Sequence, residues 1–459
     1  VQNHLPFAAV VAFASVLAAA SPATALDPAG ARYLPDPDAM FWFVQISDTH
    51  VGEDLGYGTL DTDNLGWVVH DAMDVIVPEF VVLTGDIVDG TNGLFVPTGQ
   101  YQSEWDEYRG VVDGAGLAVD FFHDIVGNHD TYSDDGATYY LANSLVGSAY
   151  GAWHETWTHS TDFGEYVFVG LCSADVTGSF PGLDSPGFDE GELQFLDDSL
   201  IDHADADLAF VFSHHPLDTL DFGGDDAMAL LDAHGVSLWS NGHKHSHEID
   251  ALGDTVHFNL DAAGKGTEDT LAVVVVDHDG VSVKAGDIGS WPYVQITSPV
   301  DGALGEANPY PHPIASAEVD AFVRAVVFDE DPDVAAWFAL DAGALEPMEE
   351  VAPSVWQAPF DATLLSAGVH QIAVEAESLS GWDVHVIEVE VRVTECSDGT
   401  DNDGDGGVDY AGDDGCWGLS DDDETGVVEP GDDDDSASDD DDSASGDDDD
   451  SASDDDDDS

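Results

Sequence analysis

Five apolar runs of β-type composition end in the same way, in Asp, His or Asn, and this repetition constrains the chain more than any other feature. Phe41 to Ile46 leads into Ser47-Asp48-Thr49-His50, and Phe80 to Leu83 into Thr84-Gly85-Asp86-Ile87-Val88-Asp89. Phe121 to Val126 runs into Gly127-Asn128-His129-Asp130, and Leu208 to Phe212 into Ser213-His214-His215-Pro216. The last run, Val236-Ser237-Leu238-Trp239, reaches Asn241-Gly242-His243-Lys244-His245. Strands that stop in such side chains present them along the rim of a sheet. Neutral imidazoles and carboxylates suit zinc, iron or manganese, and an amide carbonyl adds a hard oxygen donor. A single polar residue at a strand end is usually a solvated cap, but five such ends together predict a metal centre.

The ordered blocks D-x-H, G-D-x-x-D, G-N-H-D, H-x-P and G-H-x-H resemble the calcineurin-like metallophosphoesterase superfamily. The resemblance implies an α/β fold over residues 40–290, a four-layer sandwich with its site at the strands' C-terminal rim. It implies two divalent or trivalent ions of manganese, iron or zinc. Asp48, His50, Asp86 and His245 would hold one, and Asp86, Asn128, His214 and His243 the other, with Asp86 bridging. Two cations roughly 3.5–4 Å apart lower the pKa of a shared water and neutralise charge on a phosphoryl group. A bridging hydroxide would then attack phosphorus in line with the leaving oxygen. His129 matches the catalytic histidine, and Asp89 the carboxylate that orients it and raises its pKa. Asp130 is expected to support the site from behind. His215 either faces substrate or packs beside Pro216, and Lys244 and Lys265 are candidates for contact with a substrate phosphate because basic residues are so scarce. His123, inside an apolar run, reads as a core histidine, and His247 as supporting or exposed.

Between the blocks the chain alternates strands with helical stretches. Leu65 to Val77 predicts a helix closed by Pro78, and Glu190 to Leu200 another. This is the rhythm of an α/β layer. Leu271 to Val276 and Val281 to Lys284, split by Asp279-Gly280, predict a closing hairpin.

From residue 293 to 395 the pattern becomes all-β. Runs at Val294 to Ile296, Ala321 to Phe328, Val334 to Leu340, His370 to Glu375 and Val384 to Val393 predict a small sandwich, with an immunoglobulin-like fold expected. The stretch Gln100 to Tyr108, the opening Ile296-Thr297-Ser298-Pro299 and the run Gly368 to Val374 are similar to the transmembrane-protein-62 branch of the superfamily, in which such a sandwich follows the phosphoesterase. The membrane helices of that branch are not evident here.

Residues 396–416 are Asp- and Gly-rich and bracketed by Cys396 and Cys416, which would pair in an exported protein. Asp401, Asp403, Asp405, Asp409 and Asp413 resemble the short calcium repeats of thrombospondin type 3 modules. An EF-hand is excluded, since no Glu stands at the twelfth position. Residues 421–459 form an Asp/Ser/Ala tail with too few apolar side chains for a core, and disorder is expected there.

Charge then narrows the function. The chain has 97 acids against 7 bases, and only 22 of those acids lie from Asp421 onward, so the remainder is itself strongly acidic. Such a surface repels nucleic acid polymers and anionic membranes. Residues 1–25, with the apolar run Phe7 to Ala20 and Ala23-Thr24-Ala25, read as a signal peptide and predict a secreted or cell-surface protein. No other run is long and apolar enough to span a membrane. The function predicted is hydrolysis of a small phosphodiester or phosphomonoester, the diester favoured by analogy alone. The alternative is a surface- or matrix-binding protein that uses its sandwich and calcium loop, its metal site vestigial. The sequence leaves the oligomeric state open.

Overall fold

The computed structural model describes residues 34–52, 61–92, 96–265, 269–307, 313–413, 415–416, 418–421 and 424–425. The signal-like segment at 1–25 and the tail from residue 426 lie outside the described residues.

Apolar residues alternate along the first strand so that both of its faces are buried. In β1 (Met40–Ile46), Phe41 and Phe43 enter one core while Val44 and Ile46 enter another. Parallel strands covered on both sides require this pattern. β2 (Val81–Leu83) and β3 (Phe122–Asp124) pair parallel beside β1. The chain then builds a second sheet from β4 (Glu155–Ser160), β5 (Glu165–Gly170), β6 (Leu208–Phe212), β7 (Leu238–Asn241), β8 (Glu248–Leu252) and β9 (Thr255–Asn259). It returns through β10 (Thr270–Asp277) and β11 (Gly280–Asp287), the expected hairpin, which closes the first sheet in the order β11-β10-β1-β2-β3. The second sheet runs β4-β5-β6-β7-β9-β8.

The two sheets meet through an aromatic core. Phe43 stacks on Phe80 at 4.8 Å and meets Phe168, Phe210 and Phe212 edge-on. Helices cover the outer faces. Residues 61–76 form a helical stretch interrupted by a π turn at Val68–Ala72, and it stops where Val77 turns left-handed before Pro78. Gln102–Gly114, Thr138–Asn143 and Leu145–Tyr150 complete that layer, and Glu190–Asp202 and Gly224–His234 lie on the other side. Glu190–Asp202 starts with a capping box, Asp189 accepting from the N–H groups of Gly191 and Glu192 while Glu192 accepts from that of Asp189. The result is the four-layer α/β/β/α sandwich. His123 is buried as expected, its Nδ1 3.1 Å from Glu155 and its ring stacked on Trp157. Cys172 is a buried free thiol.

Beyond Asp287 the structure is β-rich. One sheet has the order β12-β14-β18-β17, formed by β12 (Tyr293–Ser298), β14 (Ala321–Phe328), β17 (Glu349–Ala352) and β18 (Val355–Phe360). The other runs β13-β20-β19-β15-β16, from β13 (Ile314–Ala315), β15 (Ala335–Leu340), β16 (Glu346–Pro347), β19 (Gly368–Glu377) and β20 (Trp382–Arg392). Both sheets bury side chains in one core, including Val323, Val327, Phe338, Ile372, Val374 and Val389. Four of these strands escape the sequence pattern. β13 and β16 are two residues long, β17 is acidic and exposed, and Pro359 interrupts the apolar run of β18.

The β-rich part is bolted to the first sheet. Arg324 on β14 is fully buried, its Nη1 2.6 Å from Asp277 Oδ1 at the end of β10 and its Nη2 2.6 Å from the Leu34 carbonyl. Thr297 Oγ1 donates to the same Asp277 carboxylate, and Lys284 of β11 pairs with Asp383 of β20 at 2.5 Å.

Candidate metal centre

Parallel strands deliver their C-terminal ends to one edge, and both sheets of the first domain do so toward the same place. From the first sheet come Asp48 and His50 after β1, Asp86 after β2, and Asn128 and His129 after β3. From the second come His214 after β6, then His243 and His245 after β7.

The backbone turns sharply to present these groups. Asp48, His50, Asp86, His243 and His245 all have positive φ, between 45° and 70°. For residues with a Cβ this region is sparsely populated and costs on the order of 1–3 kcal/mol each. Two glycines allow the loops to close. A Cβ on Gly242 would overlap Ser47 Oγ and Asp48 Oδ2, and one on Gly127 would overlap the backbone nitrogen and Oδ1 of Asp86.

Asp86 stands at the centre. Its Oδ2 lies 3.3 Å from His214 Nε2, 3.7 Å from His50 Nε2 and 3.9 Å from His129 Nε2. On one side His245 Nε2 is 3.2 Å from both Asp48 Oδ1 and His50 Nε2. On the other, His214 Nε2 is 3.0 Å from Asn128 Oδ1 and 3.2 Å from His243 Nδ1. Asp48, His50 and His245 form one group that could hold a cation, Asp48, Asp86 and His214 another, and His214, His215 and His243 a third.

The donors suit metal ions on their own chemistry. Imidazole nitrogens facing each other at 3.2 Å repel if both carry lone pairs, unless a proton or a cation lies between them. Burial alone would lower the pKa of His50 and His214, yet the carboxylates of Asp48, Asp89 and Asp86 raise both to about 9. Burial would likewise raise Asp48 and Asp86, but His214 and the other imidazoles hold both well below the usual carboxylate range. The charge pattern of the site, carboxylates facing imidazole nitrogens, suits cations.

The supporting contacts fix which nitrogen faces inward. His214 Nδ1 lies 2.8 Å from the Thr84 carbonyl and donates to it, which turns Nε2 toward Asp86. Tyr132 OH accepts from Asn128 Nδ2 and so turns the amide oxygen toward His214. Asp130 accepts the N–H groups of Gly127, Val88 and Ile87, which ties the second and third blocks together from behind.

Three expectations need correction or refinement. His129 Nδ1 meets the main-chain oxygen of Asp89 at 2.7 Å, while the Asp89 carboxylate is 3.7 Å away. That carboxylate instead lies 2.6 Å from Lys265 Nζ and 3.1 Å from His50 Nδ1. The His129 pKa is accordingly lowered to about 4, chiefly by burial, rather than raised. Lys244 is committed to Glu248 and Asp218, so Lys265 is the cation beside the cluster. His215 is fully buried, its Nδ1 2.9 Å from Ser173 Oγ and its ring against His214 and His243, a position that supports those rings. His247 is exposed.

Glu104 was not singled out in the sequence. It is buried on the helix Gln102–Gly114 and accepts the N–H groups of Gly90, Thr91 and Asn92, the loop that follows Asp89. Burial raises its pKa to about 7. Glu104→Ala is expected to loosen this loop and lower turnover roughly 10–100-fold, the usual range for groups that support metal sites. A kcat unchanged in steady-state assays would remove Glu104 from the machinery.

In the Asp-rich loop, Cys396 and Cys416 are joined by a disulfide. The carboxylates of Asp401, Asp403 and Asp405 gather within 4.8 Å and are exposed. Asp409 Oδ1 accepts the Gly399 N–H, and Asp413 is buried with Oδ1 accepting the Gly415 N–H. Glu424, fully buried, accepts the N–H groups of Asn402 and Asp409 and was not anticipated.

A four-layer sandwich with an Asp/Asn/His rim of this kind defines a metallophosphoesterase domain. Residues 41–247 match the family described as calcineurin-like phosphoesterase, and this part of the chain is a calcineurin-like metallophosphoesterase domain. Transmembrane protein 62 of Mus musculus is 24% identical over 361 residues, which cover 74% of this chain and 54% of that protein. A metallophosphoesterase-type protein of Arabidopsis thaliana is 28% identical over 225 residues, 45% of this chain and 30% of its own length. The chain therefore spans about half the length of the first relative and about a third of the second. Among solved structures, GAP50, described as the anchor in the inner membrane complex of Plasmodium, aligns with a TM-score of 0.37 at 15% identity over 55% of this chain and 85% of its own. No helix among the described residues is long and apolar enough to cross a membrane.

Proposed function

We propose that this protein hydrolyses small phosphate esters with two transition-metal ions, manganese, iron or zinc, held around Asp86. One observation carries this reading: Asp48, His50, Asn128, His214, His243 and His245 converge from two separate sheets on the Asp86 carboxylate. Asp48, His50 and His245 would hold one ion and Asn128, His214 and His243 the other, Asp86 serving both. When bound, such a pair neutralises the phosphoryl oxygens and lowers the pKa of water.

The chain's own groups do the rest. Asp89's carbonyl oxygen only accepts, so His129 Nδ1 carries a proton and Nε2 points toward Asp86. Nε2 can then pass a proton to the leaving oxygen once the negative charge of the substrate favours the imidazolium. Lys265 neutralises Asp89 and keeps its carboxylate beside His50. The acid excess favours small esters over polyanions, and a diester is preferred over a monoester by analogy. The β-rich part is read as immunoglobulin-like. The disulfide fits an oxidising compartment and supports export, and the Asp-rich loop is read as a calcium site.

The test uses the whole chain, assayed for metal content and for hydrolysis of bis(p-nitrophenyl) and mono(p-nitrophenyl) phosphate, with Asn128→Ala and His129→Ala alongside. About two metals per chain, with hydrolysis lost in both variants, is expected. No bound metal and no hydrolysis after reconstitution with manganese, zinc or iron would end the enzyme reading and favour the surface-binding alternative.

A further inference from the structure

The sandwich has a concave site of its own, independent of the metal centre. A pocket of about 290 Å³ opens on the outer face of the larger sheet, lined by Trp337, Leu345, Glu375, Ala376, Glu377 and Trp382. The strand register explains its composition. β19 runs between β20 and β15. Trp337 stands opposite Glu375, and Trp382 opposite Glu377. Residues two apart on a strand share a face. Two carboxylates therefore rise from the middle strand with an indole on either side.

The two indoles and two carboxylates lie outside the hydrophobic core of the sandwich. Trp382 is 71% exposed, and Leu379 at the tip of the same hairpin is 94% exposed. Among the described residues, the indole nitrogens of Trp337 and Trp382 and the carboxylates of Glu375 and Glu377 make no hydrogen bond or ion pair. Neighbouring like charges on one strand face are unfavourable, and here no cationic side chain offsets them.

Charge and donor chemistry choose the ligand. Anions are repelled by Glu375 and Glu377. A sugar presents many hydroxyls that need both donors and acceptors, whereas the carboxylates only accept and each indole offers one donor. A cation needs no donors, and indole faces attract it most strongly when it carries little water. The volume lies at the small end of ligand pockets, the size of a head group rather than a polymer. The geometry points to a binding site for a quaternary ammonium group of choline size, held between Trp337 and Trp382 and neutralised by Glu375 and Glu377.

Calorimetric titration of the full chain with choline chloride tests this. It should be run in about 0.5 M NaCl, where the field of the many surface acids is screened. Saturable binding at about one site per chain with Kd on the order of 1 mM is expected. The neutral carbon isostere 3,3-dimethylbutanol should bind at least ~10-fold more weakly, since it lacks the cation–π term. Trp382→Ala and the double change Glu375→Gln with Glu377→Gln should each weaken choline at least ~10-fold without lowering the melting temperature, because these groups are outside the core. Three results would overturn the assignment. Heat that never saturates, or that Trp382→Ala leaves intact, means choline is only a counter-ion. Equal binding of the isostere means an apolar patch. Binding of a cello-oligosaccharide in place of choline means a sugar site.

Discussion

Asp86→Ala is expected to reduce phosphoester hydrolysis by roughly a thousandfold or more, from the several kcal/mol of charge stabilisation that a bound metal supplies. The size follows from position. Asp86 Oδ2 lies close to His50, His129 and His214 together, so its loss weakens both halves of the centre. Asp86 Oδ1 also accepts the N–H of His129, at 2.8 Å, so the third block would lose an anchor. Metal content should fall below one per chain. His50 and His214, now raised to about 9 by neighbouring carboxylates, should titrate lower once Asp86 is gone. Mass spectrometry under native conditions reads the metal and p-nitrophenol release reads the rate. A variant that keeps two metals, or works within about threefold of the parent, would refute the central role of Asp86.

The second large effect concerns stability. Arg324→Ala should destabilise the folded chain by about 3–5 kcal/mol, because it takes the guanidinium from the buried Asp277 carboxylate and leaves that group with Thr297 and His278 alone. Arg324 is fully buried and meets Asp277, the Leu34 carbonyl and Gln357 Oε1. Burial raises the Asp277 pKa, but His278 and Arg324 outweigh it and leave the group lowered. A lowered carboxyl stabilises above its unfolded pKa and loses that contribution as pH falls through the folded value. The penalty of the variant should therefore shrink in acid, below about pH 4. Pairing Arg324→Met with Asp277→Leu should recover much of the loss, since both charges then leave together. Urea unfolding measures all three proteins. A loss under about 1 kcal/mol for Arg324→Ala would show the pair to be solvated in practice.

The rim of the metal centre was legible because each block is local. A strand, a glycine and a ligand follow one another within a few residues, as in Val126-Gly127-Asn128, and no knowledge of distant partners is needed to see them. The supports were not legible because they are long-range. Nothing in Gln102 to Gly114 says that Glu104 will accept three N–H groups from residues 90 to 92, or that Lys265 will reach Asp89. Asp89 shows the same limit from the other side, since spacing identified the residue while the fold decided that its carbonyl, not its carboxylate, meets His129. In the β-rich part the strongly apolar strands declared themselves, whereas β17 is held by pairing with β18 and carries no pattern of its own.

The two sheets of the first domain contribute different donors, Asp48, His50, Asp86 and Asn128 from one and His214, His243 and His245 from the other. Between them lies an aromatic layer, with Phe43 and Phe80 on one side and Phe168, Phe210 and Phe212 on the other, crossed by a few buried hydrogen bonds such as Gln45 Nε2 to the Asn241 carbonyl and Ser240 Oγ to Gln45 Oε1. In the function proposed above, the centre works as a calliper across that aromatic layer. Thinning the layer by trimming a ring far from the rim would change the span between the two donor sets, and the protein would register the loss as an altered choice of ion.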